Sequence, residues 1–318
     1  MRAVRLFKGV VQVGEQRLPR RRKGFALIRL RAAGICNTDI ELQRGYYGFA
    51  GTPGHEFVGD VVEADDPALA GARVAGEINL ACRVCEWCRN GLERHCPNRT
   101  VLGIVRHPGA FAEYLTLPER NLHVLPPSLP DESAVFIEPL AAACEILDQV
   151  RMPKGATVAV LGDGKLGLLI GQVLQAGGLT VHQYGRHKDK LRLAAGFGIE
   201  TRLAGRQLPK RAYSYTVDAT GSPGGLRTAI ELTQPRGVLV LKSTLHGMVE
   251  INTARIIVDE LTLVGSRCGR FAPAIRLLRS GRVRVEELIA DRFPLSRARE
   301  AFRRAAEPGV LKVLLFPD

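Results

Sequence analysis

The run Thr157-Val-Ala-Val-Leu161 passes directly into Gly162-Asp-Gly-Lys-Leu-Gly167. The first segment is apolar and β-branched, the pattern of a buried strand. Leu166, Leu169, Ile170, Val173 and Leu174 then recur at helical spacing until Gly177-Gly178 ends the helix. Strand, G-x-G-x-x-G turn and amphipathic helix in that order open a dinucleotide-binding βαβ unit. The glycines permit a tight turn and let a pyrophosphate approach the helix N-terminus, where free N–H groups and the macrodipole favour anions. The motif is weak alone, and its place between strand and helix gives it force. Gly162, Gly164, Lys165 and Gly167 are therefore candidate cofactor-binding residues.

Working outward, short strands are expected at 179–184, 200–203, 214–218, 237–242 and 261–265, with helical stretches among them. Such alternation predicts an α/β domain with a doubly wound parallel sheet over about 141–267. The first 140 residues read differently. Ala26, Ile28 and Leu30 alternate with their neighbours as in a half-buried strand, and 57–63 and 73–76 give further short strands. Pro126, Pro127 and Pro130 lead into a helix over 139–150, and the tail carries a helix at 274–280 and a last strand at 311–316. The first 140 residues thus read as mostly β, with cysteines bunched over about 80–100.

The chain has 318 residues, 46% of them hydrophobic and 24% charged, which excludes a disordered or fibrous protein and suits two packed domains. No apolar run approaches the roughly 18 residues of a membrane span, and the start MRAVRLFKG lacks a signal-peptide core. A soluble, cytoplasmic protein without a membrane partner is expected. The net charge of +13 raises the possibility of nucleic-acid binding. Its densest run, Arg20-Arg21-Arg22-Lys23, reads as a solvated turn before a strand, and aromatics at 6% offer little for base stacking. No nucleic-acid partner is expected.

Four of the seven cysteines fall close together, as Cys82-x2-Cys85-x2-Cys88-x7-Cys96. In a chain without a secretory signal, such bunching points to metal rather than disulfides. Four thiolates from one loop suit tetrahedral zinc, and a site closed by four protein ligands is structural. Free buried cysteines or an iron–sulfur cluster are the alternatives. Cys144 and Cys268 belong to neither metal set and read as small buried residues.

Cys36, in Gly34-Ile-Cys-Asn-Thr-Asp39, precedes Gly54-His-Glu-Phe-Val-Gly59. With the cysteine lobe and the later glycine motif, this order resembles the zinc-containing medium-chain dehydrogenase/reductase family, which includes alcohol, polyol, threonine and glucose dehydrogenases. The resemblance covers nearly the whole chain. It implies a GroES-like β-rich catalytic domain of about 1–140 and 268–318, with a structural-zinc lobe at about 80–100, beside a Rossmann domain of about 141–267. It also implies hydride transfer between an alcohol and a nicotinamide cofactor, with zinc as Lewis acid. It further implies that Cys36, His55, Glu56 and Glu138 serve a catalytic zinc, Glu138 standing in Phe136-Ile-Glu-Pro-Leu140. Asp39 matches the carboxylate that orients the histidine, and Thr38 the hydroxyl that takes the alcohol proton. Where the family has a relay histidine, this chain has Glu41. A zinc-free reductase of the same superfamily would lack Cys36, His55 and Glu56.

The family's NAD-dependent members end the second strand of the Rossmann sheet with an acidic residue. Gly185 takes that position here and Arg186 follows, which favours NADP, with NAD the second choice. Lys190 matches a position near the same ribose phosphate and Lys312 a basic residue near the pyrophosphate. Tyr46, Tyr47, Phe49, Ile104, Val105, Arg106 and Phe111 lie on segments that line the substrate pocket in relatives. The expected partners are a small alcohol or carbonyl substrate and further copies of the chain, as a homodimer or homotetramer.

Overall fold

The computed structural model describes residues 1–205, 208–243 and 248–318. The chain divides into one unit of Met1–Glu138 with Leu288–Asp318 and a second of Pro139–Glu287. The second is built on a six-stranded sheet in the spatial order Glu200–Leu203, Thr180–Gly185, Thr157–Leu161, Tyr213–Asp218, Thr233–Leu241, Thr262–Gly265, every pairing parallel. Parallel strands are covered on both faces, and Val158, Ala159 and Val160 are accordingly all fully buried.

The helix Lys165–Ala176 buries Leu168, Leu169, Ile170, Val173 and Leu174. It lies so close to the sheet that a Cβ at Gly171 would stand 2.5 Å from Gln183 Oε1. Residues 268–287, expected with the β-rich domain, fall in the second unit. Gln172 anchors them there, donating to Arg284 O at 2.9 Å and accepting from Arg284 N at 2.8 Å. The apolar helix pattern at 274–280 could not show which domain it covers.

In the first unit the main sheet runs Leu122–Val124, Arg73–Gly76, Glu56–Glu63, Phe25–Ile35, Lys312–Phe316, Ile289–Pro294, and Tyr114–Pro118 also pairs with Phe25–Ile35. The strand Phe25–Ile35 extends past the alternating stretch that announces it, through Ala32, Ala33 and Gly34. These small residues carry little β-propensity; pairing with Glu56–Glu63 on one side and Lys312–Phe316 on the other holds them extended. Gly34 is opposite Glu56 and opposite Leu314, and a Cβ there would meet Glu56 Oε2 and Val135 Cγ1, each at 2.7 Å. Only glycine leaves room where three elements converge. Arg21, in the basic run before this strand, is a partly exposed loop residue paired with Asp65. No helix among the described residues is long and apolar enough to cross a membrane.

Candidate functional site

The cysteine lobe is held by short strands at Asn79–Leu80, Thr100–Leu102 and Arg106–His107. Between them, Cys85 caps the short helix Glu86–Arg89, which carries Cys88, and Cys96 follows a 3₁₀ turn. The sulfurs lie 3.5 Å apart for Cys85–Cys88, 3.7 Å for Cys85–Cys96 and 3.4 Å for Cys96–Cys82. A disulfide would bring two sulfurs to about 2.05 Å. Tetrahedral zinc with bonds of about 2.3 Å spaces its sulfurs roughly 3.8 Å apart, close to what is seen. Backbone N–H groups of Val84 and Cys85 bring the Cys82 thiol down to about 6, whereas burial and the neighbouring thiols push Cys88 up to about 12. The four donors form a closed structural zinc site.

The second cluster grows from the end of the strand Phe25–Ile35. Cys36 caps the helix Asn37–Gln43, and Asp39 in its first turn reaches back to accept the Cys36 N–H at 2.9 Å. The other Asp39 oxygen accepts from Gly54 N at 3.1 Å and lies 3.5 Å from His55 Nδ1. One fully buried carboxylate thus ties both ligand-bearing segments together. Sγ of Cys36, a ring nitrogen of His55 and a carboxylate oxygen of Glu56 lie within 4.8 Å of one another. Thr38 Oγ1 accepts from Cys36 Sγ at 3.8 Å.

This donor set fits a metal. Glu56 Oε1 is buried without a hydrogen-bond partner, and thiolate, imidazole and carboxylate are all zinc ligands. Burial alone would strip His55 of charge, yet Asp39 and Cys36 outweigh it and draw a proton on to the ring. The field at this position favours a cation.

The third site lies wholly in the second unit. A cavity of about 520 Å³ opens at the ends of the parallel strands, lined by Gly162, Asp163, Gly164, Gly185, Arg186, His187 and Lys190, among others. That is the position where open parallel sheets bind nucleotides.

Residues 22–127 match the family model described as "Alcohol dehydrogenase GroES-like domain" and 166–280 the one described as "Zinc-binding dehydrogenase". The chain is 30% identical to a sorbitol dehydrogenase of Halalkalibacterium halodurans, over 97% of this chain and 96% of that one. The chain belongs to the zinc-containing medium-chain alcohol and polyol dehydrogenase family. Solved members include a zinc-binding dehydrogenase from Sinorhizobium meliloti 1021 bound to NADP, with a TM-score of 0.91, 30% identity and 99% coverage of each chain. Another is a short chain alcohol dehydrogenase from Escherichia coli CFT073 complexed with NADH, with a TM-score of 0.90, 27% identity and 99% coverage of each.

Within this dehydrogenase, Lys312, Glu138 and Glu41 have partners that the sequence did not show. Lys312, expected beside a pyrophosphate, is instead 1% exposed and paired with Glu56 Oε2, its ammonium 5.5 Å from the Phe136 ring centroid. Burial opposes its charge, but Glu56, Cys36 and Glu138 outweigh burial and keep it protonated. Its strand pairs with the residues just before Cys36, a register no linear motif reveals. Glu138 starts the helix Ile137–Gln149 and acts on Lys312, while the close ligand group consists of Cys36, His55 and Glu56. Glu41 pairs with Arg44 at 2.8 Å one helical turn on, the arrangement of a solvated surface glutamate.

Tyr47, Phe49, Ile104, Val105 and Arg106 line a cavity of about 630 Å³, together with Arg5, Gln16 and His107. Phe111 is instead fully buried, packed under Gly54 and edge-on to Phe302. Cys144 is buried, its thiol pushed up to about 12, whereas Cys268 is half-buried. The residue that sequence reading passed over is Asp163. The motif treats its position as a spacer, so only the tertiary contacts single it out.

Proposed function

We propose that this chain oxidises a secondary hydroxyl of a polyol or related alcohol, and reduces the matching carbonyl, with NADP used ahead of NAD. The convergence of Cys36, His55 and Glu56 on one point, with the Thr38 hydroxyl beside them, carries the reading. The similarity to a sorbitol dehydrogenase supports the polyol class.

Cys36, His55 and Glu56 would hold the catalytic metal, with Glu138 acting through water. When bound, zinc supplies Lewis acidity toward the substrate oxygen and the nicotinamide supplies a hydride acceptor. Asp39 faces His55 Nδ1, which leaves Nε2 as the ligating nitrogen and fixes the tautomer. Thr38 Oγ1 takes the hydroxyl proton. From Thr38 the proton would pass on through the cofactor ribose or through Glu41, which is paired with Arg44. The glycine loop with Lys165 would receive the pyrophosphate. Arg186 is exposed and Lys190 nearly buried; both line the nucleotide cavity, and neither has an ion-pair partner among the described residues. Two such cations beside a glycine at position 185 support NADP. A cytoplasmic location goes with this reading.

Elemental analysis of metal-replete protein should give two zinc ions per chain, one for each ligand set. Cys36→Ala should lose about one zinc and nearly all turnover, assayed on polyols and secondary alcohols with both cofactors. One zinc with full activity, or no turnover of any alcohol, would reject the assignment.

A further inference from the structure

The strand Thr180–Gly185 turns into the helix Lys188–Gly196 beside the nucleotide cavity, and this turn already contains an anion. Asp163, between the first two glycines of the motif, sends its carboxylate into it. Oδ2 accepts from Arg186 N at 2.7 Å, from His187 N at 2.7 Å and from His187 Nδ1 at 3.0 Å. Asp163 is only 8% exposed. Burial disfavours its charge, but the His187 N–H and ring and the Arg186 N–H outweigh that and hold the carboxyl below its ordinary range.

The same side chain explains the glycine at 185. The backbone φ of Gly185 is not among the positive ones, so conformational freedom is not what requires it. Space is. A Cβ at 185 would stand 2.6 Å from both Asp163 Cβ and Asp163 Oδ2. The missing strand-end side chain and the carboxylate in the glycine loop are one arrangement: Asp163 fills the volume that residue 185 would otherwise occupy.

We propose that Asp163 is a specificity-determining residue of the nucleotide site, an internal anion that keeps the N–H groups of Arg186 and His187 from a 2′-phosphate. The phosphate is then received by the side chains of Arg186 and Lys190 alone, next to a fixed negative charge. Asp163 thereby narrows the margin between NADP and NAD. This rests on the nucleotide-site reading above. It also predicts that an acid cannot be introduced at 185 while Asp163 remains.

The test is calorimetric titration of the full-length, zinc-loaded protein with adenosine 2′,5′-bisphosphate and with ADP, which needs no turnover. Asp163→Asn keeps the volume and an acceptor for the turn but removes the charge; Asp163→Ala also frees the N–H groups. Each should raise the preference for the bisphosphate over ADP, by about ten- to a hundredfold for the alanine variant. A merely structural Asp163 would weaken both nucleotides equally, and an unmoved ratio in the asparagine variant, melting as the wild type does, overturns the proposal. If neither nucleotide binds the wild-type protein, the nucleotide-site reading itself fails and takes the proposal with it. In parallel, Gly185→Ala should lower the melting temperature in the wild-type background and much less in Asp163→Gly. Equal losses in the two backgrounds would show that the positions do not share one volume.

Discussion

Lys312 and Glu56 illustrate how single residues set the character of the metal cluster. Both are essentially unexposed, so each charge depends on the other for its solvation. Lys312→Met removes one charge and leaves Glu56 buried with no counter-ion but its metal. The variant should lose about 3–5 kcal/mol of stability, the usual cost of breaking such a pair. Combining it with Glu56→Gln should restore much of that loss, although the double variant gives up a ligand. Denaturant unfolding of the metal-free single and double variants checks this, and additive losses would show that the pair is not coupled. Residue type alone would not have singled out Cys36, His55 and Glu56; they were legible because their order with the cysteine lobe and the glycine motif matches a family pattern. The Lys312 pairing was not, since 256 positions separate the partners.

At the scale of elements, the cysteine lobe stands on little besides its sulfurs. Its strands are two or three residues long and its apolar cluster is Ala81 with the four cysteines, Cys82 and Cys85 only partly buried. Val84, Trp87 and Leu92 are exposed. Such an element draws its order from metal ligation, so zinc binding energy is folding energy there. Cys88→Ser should therefore lose about one zinc and raise amide exchange across 80–100, while exchange in the sheet of the second unit stays unchanged. Protection retained throughout the lobe would mean that packing alone orders it. The strand Phe25–Ile35 makes the complementary point. Its first half alternates and declares itself, whereas Ala32-Ala33-Gly34 is extended only because two partner strands demand it.

For the whole molecule, the parallel sheet ends at Thr262–Gly265, an edge whose outer N–H and C=O groups have no neighbouring strand among the described residues. Just before it, Ile257 and Val258 are 71% and 75% exposed. A sheet edge beside apolar side chains is a template for pairing with a second copy. The chain should be a dimer or tetramer by light scattering at micromolar concentration, and a charge at Ile257 should shift it toward monomer. A strict monomer would refute this.

The sequence by itself determined what depends on local order. The strand–glycine–helix run specifies the nucleotide fold and the cysteine spacing specifies a zinc loop, because these properties travel with residue type and short spacing. Cys36, His55 and Glu56 were legible as ligands only through the order of motifs that the family shares. Only the tertiary structure decided which residues meet. It took Lys312 from a phosphate to a buried carboxylate and paired Glu41 with Arg44. It moved 268–287 into the second unit and turned the spacer residue Asp163 into the partner of Gly185. Those outcomes depend on strand register and on competition for a few cubic ångströms, and a linear pattern carries neither.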